Sequence, residues 1–459
     1  MIRCSSLTTL SSSPAPRRRA AGAAAFLVLA GLCTALALGV RAEAPHVYAI
    51  TGARVVTAAG PVLETATVVV RGGLIEAAGA AVAVPPDATV IDGKGLTIYP
   101  GLIDMGTAAG LAIPTIDAPR DARTRIEIER VRRQALLRAG LDAASVLKPD
   151  APELRRLASA GITSVLATPP GDGIAGRSAL LNVVGPDEAP QIGNVADDRR
   201  GLAVLRTPVA LHVSFPAREG GDSYPASLMG AIAFVRQAFL DAGHYQQEQA
   251  AYGRAKPGSM RRPVHDPALE AMQPALGGKL PVVFEAGGAV EIRRARAIAR
   301  ELGHDPGGAG GVEADQVVED LKASRARVIV SLNYPVRPRT LAPDADEPIR
   351  TIRQRADAPK VPAVLERAGV LFAFRSGGLR EPADFVRNAA RAVKAGLAPD
   401  AAVRALTINA ARLAGMGERL GSIEKGRIAN LLITEGDLFN EKMKIRYVFV
   451  DGRLVDGKS

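Results

Sequence analysis

Residues able to perform acid–base or ionic chemistry follow short apolar stretches of this 459-residue sequence. Glu285 closes the run Pro281-Val-Val-Phe-Glu285, and Arg375 and Ser376 follow an apolar run over residues 369–374. A partly buried carboxylate can have a raised pKa and serve as an acid or base, so Glu285 is the candidate catalytic residue. The competing interpretation is a salt bridge from Glu285 to Arg375. Ser376 lacks the Gly-x-Ser-x-Gly context of a nucleophile.

The histidines do not form a recognisable metal-binding motif. The five are His46, His212, His244, His265 and His304. No two of them have the His-x-His or His-Glu-x-x-His spacing that places ligands on one face. His212 lies in an apolar strand and is interpreted as a satisfied core histidine, and His244 is expected to face solvent on a helix. We therefore predict no metal and no other cofactor from these residues.

The elements that would position Glu285 and Arg375 alternate between strand and helix. Apolar strands at residues 162–168, 208–215, 281–285, 327–332 and 369–374 are separated by helical stretches. Near-continuous apolar strands indicate a parallel sheet, and this number of units suits a TIM-type (β/α)8 barrel over residues 101–415. A doubly wound open sheet is the alternative, but no Gly-x-Gly-x-x-Gly joins a strand to a helix. Barrel sites lie at the carboxyl ends of the strands, which gives as further pocket candidates Thr107, Thr168, Asn333, Tyr334, Arg375 and Ser376.

Short strands separated by Gly and Pro turns occur at both ends of the chain. Residues 45–100 contain four of them, too few to close a core alone. Further strands are predicted at 430–434, 445–450 and 453–455. We expect a small composite β-sandwich built from residues 45–100 and 416–459.

The first 44 residues have the pattern of a secretory signal peptide. Arg17-Arg18-Arg19 precede an apolar run and then Ala42-Glu43-Ala44, a small-x-small cleavage site. An uncleaved signal anchor is the alternative, and we expect the protein to attach to a membrane only through such an anchor. Cys4 and Cys33 both fall in this segment, so a mature periplasmic or extracellular protein would have no thiol.

Charge and aromatic content argue against nucleic-acid binding. The formal net charge is +11, of which residues 1–44 contribute +4 from five arginines and one glutamate, leaving +7 for the remainder. These charges are scattered, tryptophan is absent, and aromatic residues make up 4% of the chain. A basic patch with stacking residues would be expected of a nucleic-acid partner.

Three segments resemble the amidohydrolase superfamily, and most of all its imidazolonepropionase-related exported branch. They are residues 50–57, the run Pro100-Gly-Leu-Ile-Asp104, and residues 421–433, preceded by a presumed barrel-closing helix at 405–413. The resemblance implies hydrolysis of carbon–nitrogen bonds other than peptide bonds, with zinc or another divalent metal held by histidines and an aspartate.

The positions at which that family binds its metal carry other residues in this sequence. By the resemblance they fall on Gly106, Ala108, Glu285, Gly311 and Gly377. Glycine and alanine offer no side-chain ligand, and one carboxylate does not hold a divalent metal tightly. Asp104 belongs to the scaffold part of the motif, where a strand-end hydrogen bond is its expected role.

Two functional hypotheses follow. The first is a hydrolase acting on a non-peptide carbon–nitrogen bond through an unfamiliar or metal-free site. The second is a catalytically inactive amidohydrolase-fold protein that binds a small-molecule ligand or stabilises a partner, either a related amidohydrolase subunit or a second copy of itself. The residues favour the second hypothesis on mechanism.

Overall fold

The computed structural model describes residues 47–116, 124–148, 151–183, 203–215, 224–304, 306–342 and 344–455. All of them belong to one compact unit, His46–Ser459. The predicted signal peptide and His46 lie outside the described residues. Within the described ranges, no helix combines the length and apolar character needed to cross a bilayer.

The strands occur in three hydrogen-bonded sheets. In chain order they are β1 (Val47–Val55), β2 (Leu63–Arg71), β3 (Leu74–Gly79), β4 (Thr89–Asp92), β5 (Leu96–Pro100), β6 (Leu102–Thr107), β7 (Ile162–Ala167), β8 (Ile174–Arg177), β9 (Ala179–Asn182), β10 (Ala203–Arg206), β11 (Leu211–Val213), β12 (Val282–Ala286), β13 (Pro306–Gly310), β14 (Arg327–Ser331), β15 (Leu371–Arg375), β16 (Leu431–Glu435), β17 (Lys444–Val450) and β18 (Arg453–Val455).

Helices cover most connections between the parallel strands. They are α1 (Arg125–Leu136), α2 (Pro152–Ser159), α3 (Leu228–Arg254), α4 (Pro267–Ala271), α5 (Gln273–Leu276), α6 (Ala289–Glu301), α7 (Val318–Ala323), α8 (Ile349–Asp357), α9 (Val361–Ala368), α10 (Asp384–Lys394), α11 (Pro399–Leu406) and α12 (Ile408–Leu413). Local sequence explains several ends. Thr124 and Glu127 form a capping box at the start of α1, and α9 ends at Gly369, whose φ of 74° suits glycine.

Strands from both ends of the chain share one sheet, as the sequence predicts. Its order among the described residues is β18-β17-β16-β5-β1-β2-β3, with β4 also pairing with β1. Gly101, between β5 and β6, explains part of the Pro-Gly motif. A Cβ at this position would clash with the hydroxyl of Thr163, and the Gly101 N–H donates to the Asn430 carbonyl at 2.8 Å.

The α/β part comprises two further sheets. One has the order β10-β9-β7-β6, and the other has the order β15-β14-β13-β12-β11-β8. Strands β6 and β7 are parallel, and β11 to β15 are parallel throughout. β8 and β9 run antiparallel to their neighbours β11 and β7. The described fold is therefore α/β. The hydrogen-bonded ladder is interrupted between the two sheets, so closure into an eight-stranded barrel stays a prediction at this level.

The parallel strands bury different residues on their two faces. One face packs into an inner cluster that includes Ile103, Met105, Leu166, Val283, Ala309, Ile329 and Ala373. The other face packs outward, with Val282, Phe284, Val328, Val330, Phe372 and Phe374 in the large cluster that the helices join. This alternation is the period of two expected of strands buried on both faces.

Several elements differ from the sequence-based expectation. The described part of residues 45–100 contains five strands where four are predicted, the additional one being β5. The strand predicted at 208–215 is confined to Leu211–Val213. The single helix predicted over 405–413 is two helices, α11 and α12, that meet at Thr407. The Thr407 hydroxyl donates to the Val403 carbonyl at 2.6 Å, and its backbone (φ −134°, ψ −96°) leaves the helical region. Side-chain bonding to a preceding carbonyl competes with the helical ladder.

Replacing Gly308 with alanine should stabilise the protein. Its φ is not in the left-handed region, and a Cβ there would meet no atom within 4 Å. We expect the free energy of unfolding to rise by about 0.5 to 1 kcal/mol, because alanine restricts the unfolded chain. Urea unfolding would measure this. Gly310→Ala is the matched control: with φ +113° and the Ala286 carbonyl oxygen 2.9 Å from the new Cβ, it should destabilise. A shift of both variants in the same direction would contradict this account.

Candidate functional site

Strand alternation places four polar side chains in one layer on the inner face. Because Leu211, Val213, Phe284, Val330 and Phe374 face the outer cluster, their neighbours His212, Glu285, Ser331 and Arg375 face inward. These inward residues lie near the carboxyl ends of β11, β12, β14 and β15. The layer is therefore at the end of the sheet where α/β proteins place their functional sites.

Glu285 and Arg375 form a close ion pair in this layer. Arg375 Nη1 lies 2.7 Å from Glu285 Oε2, and the side chains are 18% and 30% exposed. Burial alone would raise the pKa of the Glu285 carboxyl, but the neighbouring His212 and Arg375 outweigh burial and lower the pKa to about 2. The expectation of a raised pKa is therefore wrong, because a fixed cation sits beside the carboxylate. The structure instead contains the salt bridge between Glu285 and Arg375, which was the competing interpretation.

His212 is buried and faces the same carboxylate. Its Nδ1 lies 3.8 Å from Glu285 Oε1, too far for a hydrogen bond, and neither ring nitrogen has a hydrogen-bond partner in the described part of the protein. His212 is buried, as expected of a core histidine, but its ring faces a carboxylate and is not satisfied by any described protein group. Sequence reasoning did not place it in the site. The signal that could have found it is its position between the apolar residues Leu211 and Val213. When these two face the outer cluster, the residue between them faces inward.

The glycine at position 106 makes room for Arg375. A Cβ built on Gly106 would lie 3.1 Å from Arg375 Cδ and 3.4 Å from Arg375 Cβ. Such separations are tighter than ordinary carbon contacts. Any larger side chain at 106 would therefore require the Arg375 side chain to move, by a few tenths of an ångström for a methyl group.

The glycines at two further positions where the resemblance predicts metal ligands are also sterically constrained. Gly377 has a φ of +60°, and a Cβ there would overlap the Ser331 hydroxyl. Gly311 has a φ of +54°, and a Cβ there would lie 3.2 Å from Val328 Cγ1. Ala108 lies in the loop after β6, where its carbonyl accepts from the Leu111 N–H at 3.1 Å. Histidine or aspartate at position 377 or 311 would thus be strained.

Asp104 joins β6 to the end of β15. Its Oδ1 accepts from the N–H groups of Gly106 at 3.1 Å and Ser376 at 2.8 Å. The expected strand-end structural role is confirmed. Its Oδ2 is buried and has no hydrogen-bond partner among the described residues, and burial raises the pKa of this carboxyl.

The remaining pocket candidates form local contacts around this layer. The Thr168 N–H donates to the Thr107 carbonyl at 2.9 Å, linking the ends of β6 and β7. Asn333 Nδ2 donates to the Gly377 carbonyl at 3.0 Å, and Ser376 Oγ lies 3.4 Å from the Gly106 carbonyl oxygen.

Tyr334 is placed differently from these candidates. It belongs to the outer cluster, with Arg391 of α10 5.0 Å above its ring, and burial raises the pKa of its phenol.

The donor set of this layer is a poor fit for a divalent cation. Across the described residues, no group of three or more His, Cys, Asp or Glu side chains is placed to hold a metal. His212 and Glu285 do face one another, but a cation between them would also meet the guanidinium of Arg375. Like charges at such distances repel strongly where water is excluded.

The comparisons with known proteins agree on the fold. Residues 307–455 match the model of the Amidohydrolase family. No curated protein matches the chain. An amidohydrolase from Thermotoga maritima MSB8 is similar with a TM-score of 0.70 and 21% identity, over 89% of this chain and 99% of that one. A prolidase complexed with N-methylphosphonate-L-proline has a TM-score of 0.51 and 19% identity, over 89% and 99%. The family model covers about the C-terminal third of the chain, and the structural likeness shows that the fold is shared with these proteins.

Proposed function

We propose that this protein is an exported amidohydrolase-fold protein in which the Arg375–Glu285 pair stands where the family's divalent metal would be. Its family reaction is hydrolysis of carbon–nitrogen bonds other than peptide bonds. That reaction relies on a water activated by the metal, which this pair cannot supply. The chain therefore acts as a binding protein, either for a small ligand with such a carbon–nitrogen bond or for a related subunit or second copy. The resemblance of residues 50–57, 100–104 and 421–433 favours the imidazolonepropionase-related branch.

The observation that carries the proposal is the position of the Arg375 side chain. It runs past Gly106 with Cδ 3.1 Å from the site of a 106 Cβ, and it ends on Glu285. An internal cation held by a carboxylate supplies positive charge where a metal would, but it cannot bind and deprotonate a water as a metal does. Export is proposed from the arginine cluster and apolar run of residues 1–44.

We also infer that the two α/β sheets form one barrel. The Asp104 bond to the Ser376 N–H links the first and last parallel strands, and the inner cluster draws on β6, β7, β12, β13, β14 and β15. The terminal sheet is inferred to fold over its own core as a sandwich, since one cluster collects Ile50, Val68, Ile98, Ile433 and Phe449 from strands across it.

A second candidate function rests on His212. An unbonded imidazole 3.8 Å from a carboxylate is a pair that can accept a proton from water. In a metal-free hydrolysis the water would add to the amide carbon, its proton would pass to His212, and His212 would return that proton to the leaving nitrogen. Glu285, ionised at neutral pH, would stabilise the imidazolium. This candidate needs His212 to come within hydrogen-bond distance of its substrate.

Elemental analysis and a hydrolysis panel distinguish these functions. We expect mature protein to contain no stoichiometric zinc, iron or manganese and to turn over no amide, lactam or cyclic urea. Turnover without metal that disappears in Glu285→Gln and His212→Gln, but survives in the exposed control His244→Gln, would favour the second candidate. Stoichiometric metal with turnover would overturn the proposal.

A further inference from the structure

A cavity lies at the opposite end of the parallel strands from the Arg375–Glu285 layer. Its volume is about 50 Å³, and its apolar lining includes Met105, Leu166, Val209, Val283, Ile329 and Leu413. Pro281 and Arg327, which stand at the starts of β12 and β14, are at its edge. Residues at this end of a sheet normally serve packing alone, so an open volume here calls for a physical explanation.

The cavity exists because β13 has almost no side chains. Its sequence is Pro306-Gly-Gly-Ala-Gly310, and Gly307 and Gly308 both line the space. Val283 and Ile329 lie on the flanking strands, and their side chains do not fill the space left by the glycines of β13. A Cβ on Gly307 would lie 3.2 Å from Val283 Cγ2, so a methyl group at this position would occupy part of the volume.

One cationic side chain stands at the cavity edge. Arg327 is exposed, and its backbone pairs with Gly307 and Leu371 on the two neighbouring strands. Among the described residues no carboxylate lies within ion-pair distance of its guanidinium. The apolar volume and the guanidinium at its edge are complementary to an aliphatic acid. The hydrocarbon chain of such an acid would fill the cavity, and its carboxylate would meet the arginine.

The size of the cavity limits the chain. About 10 to 15 Å³ on this scale holds one water, and an apolar cavity without polar partners does not retain water. The volume of about 50 Å³ is roughly three to five times larger, so it accepts an unbranched chain of about three to five carbons. Each buried methylene strengthens binding until the cavity is full.

We propose that this cavity is a binding site for a short-chain aliphatic carboxylate, with the chain between Met105, Val283 and Ile329 and the carboxylate on Arg327. The site is independent of the Arg375–Glu285 layer. It rests on the cavity, the glycines that create it, and the position of Arg327.

Calorimetric titration of the full mature protein with straight-chain acids from acetate to octanoate tests the site. Affinity should rise about threefold per added carbon up to the chain that fills the cavity and then fall. Hexan-1-ol should bind about tenfold more weakly than hexanoate, because it lacks the charge that Arg327 recognises. With methyl-¹³C methionine, the Met105 resonance, assigned through Met105→Leu, should shift on addition of hexanoate.

Variants separate this site from non-specific uptake. Arg327→Gln should weaken hexanoate binding about tenfold, Arg327→Lys should retain it within about threefold, and the exposed control Arg353→Gln should have no effect. Gly307→Ala should shorten the preferred chain by about one carbon. Affinity independent of chain length, equal binding by Arg327→Gln, or an unchanged Met105 resonance at saturation would each overturn the proposal.

Discussion

Replacing Asn430 with alanine should lower the free energy of unfolding by about 3 kcal/mol, because it removes three buried hydrogen bonds and leaves the buried Asp451 N–H without its acceptor. Asn430 Nδ2 donates to Ser164 Oγ at 3.0 Å and to Asn182 Oδ1 at 2.7 Å. Its Oδ1 accepts from the Asp451 N–H at 2.7 Å. Asn430 thereby connects β7 and β9 to the turn between β17 and β18.

The network around Asn430 is costly to break because water cannot enter it. Ser164, Asn182 and Asn430 are all buried, and Ser164 Oγ also donates to Asn182 Oδ1 at 2.8 Å. A buried donor or acceptor that loses its partner keeps its desolvation cost. The loss of stability should therefore affect the terminal sheet and the α/β part together.

Guanidinium unfolding of Asn430→Ala measures the effect. Asn440→Ala is the matched control, since Asn440 is exposed and accepts one bond from the Lys442 N–H at 2.9 Å. It should cost less than about 1 kcal/mol. Equal losses in the two variants would mean that the buried network does not stabilise the fold.

Replacing Glu285 with glutamine should destabilise the protein by about 2 kcal/mol at neutral pH and by much less in acid. The pKa of the Glu285 carboxyl is lowered in the folded protein from 4.5 to about 2. A group with a lowered folded-state pKa stabilises the fold above its unfolded pKa. That stabilisation is lost as the pH falls from about 4.5 towards 2.

The difference between wild type and Glu285→Gln isolates this carboxylate. Asp104 has a raised pKa and contributes with the opposite sign, but it is present in both proteins and cancels. We expect the difference in unfolding free energy to be constant above about pH 5.5 and to shrink between pH 4.5 and 2.5. Urea unfolding at several pH values provides the measurement. A difference that does not change with pH would show that Glu285 is not held ionised by Arg375.

A further control uses an exposed ion pair. Glu381 lies 3.0 Å from Arg156, and the two side chains are 65% and 55% exposed. Glu381→Gln should change the unfolding free energy by less than about 0.5 kcal/mol at any of these pH values, since exposed pairs are screened by solvent.

The sequence by itself determined the elements and the kind of fold. Apolar runs and glycine turns located strands such as Val282–Ala286, Arg327–Ser331 and Arg453–Val455 to within about a residue. These signals are local, because alternation and capping act over a few neighbours. The absence of histidine at Gly106 and Ala108 is likewise a property of the sequence alone.

The tertiary structure determined which residues are neighbours in space. The inward orientation of His212, the sign of the Glu285 pKa shift, and the use of Gly106 as space for Arg375 depend on strands brought together from distant parts of the chain. The cavity beside Gly307 depends on the side chains of two other strands. Sequence patterns report which face a residue occupies, but a pKa, a contact or a void arises from the residues on the neighbouring strand, and sheet register alone selects them.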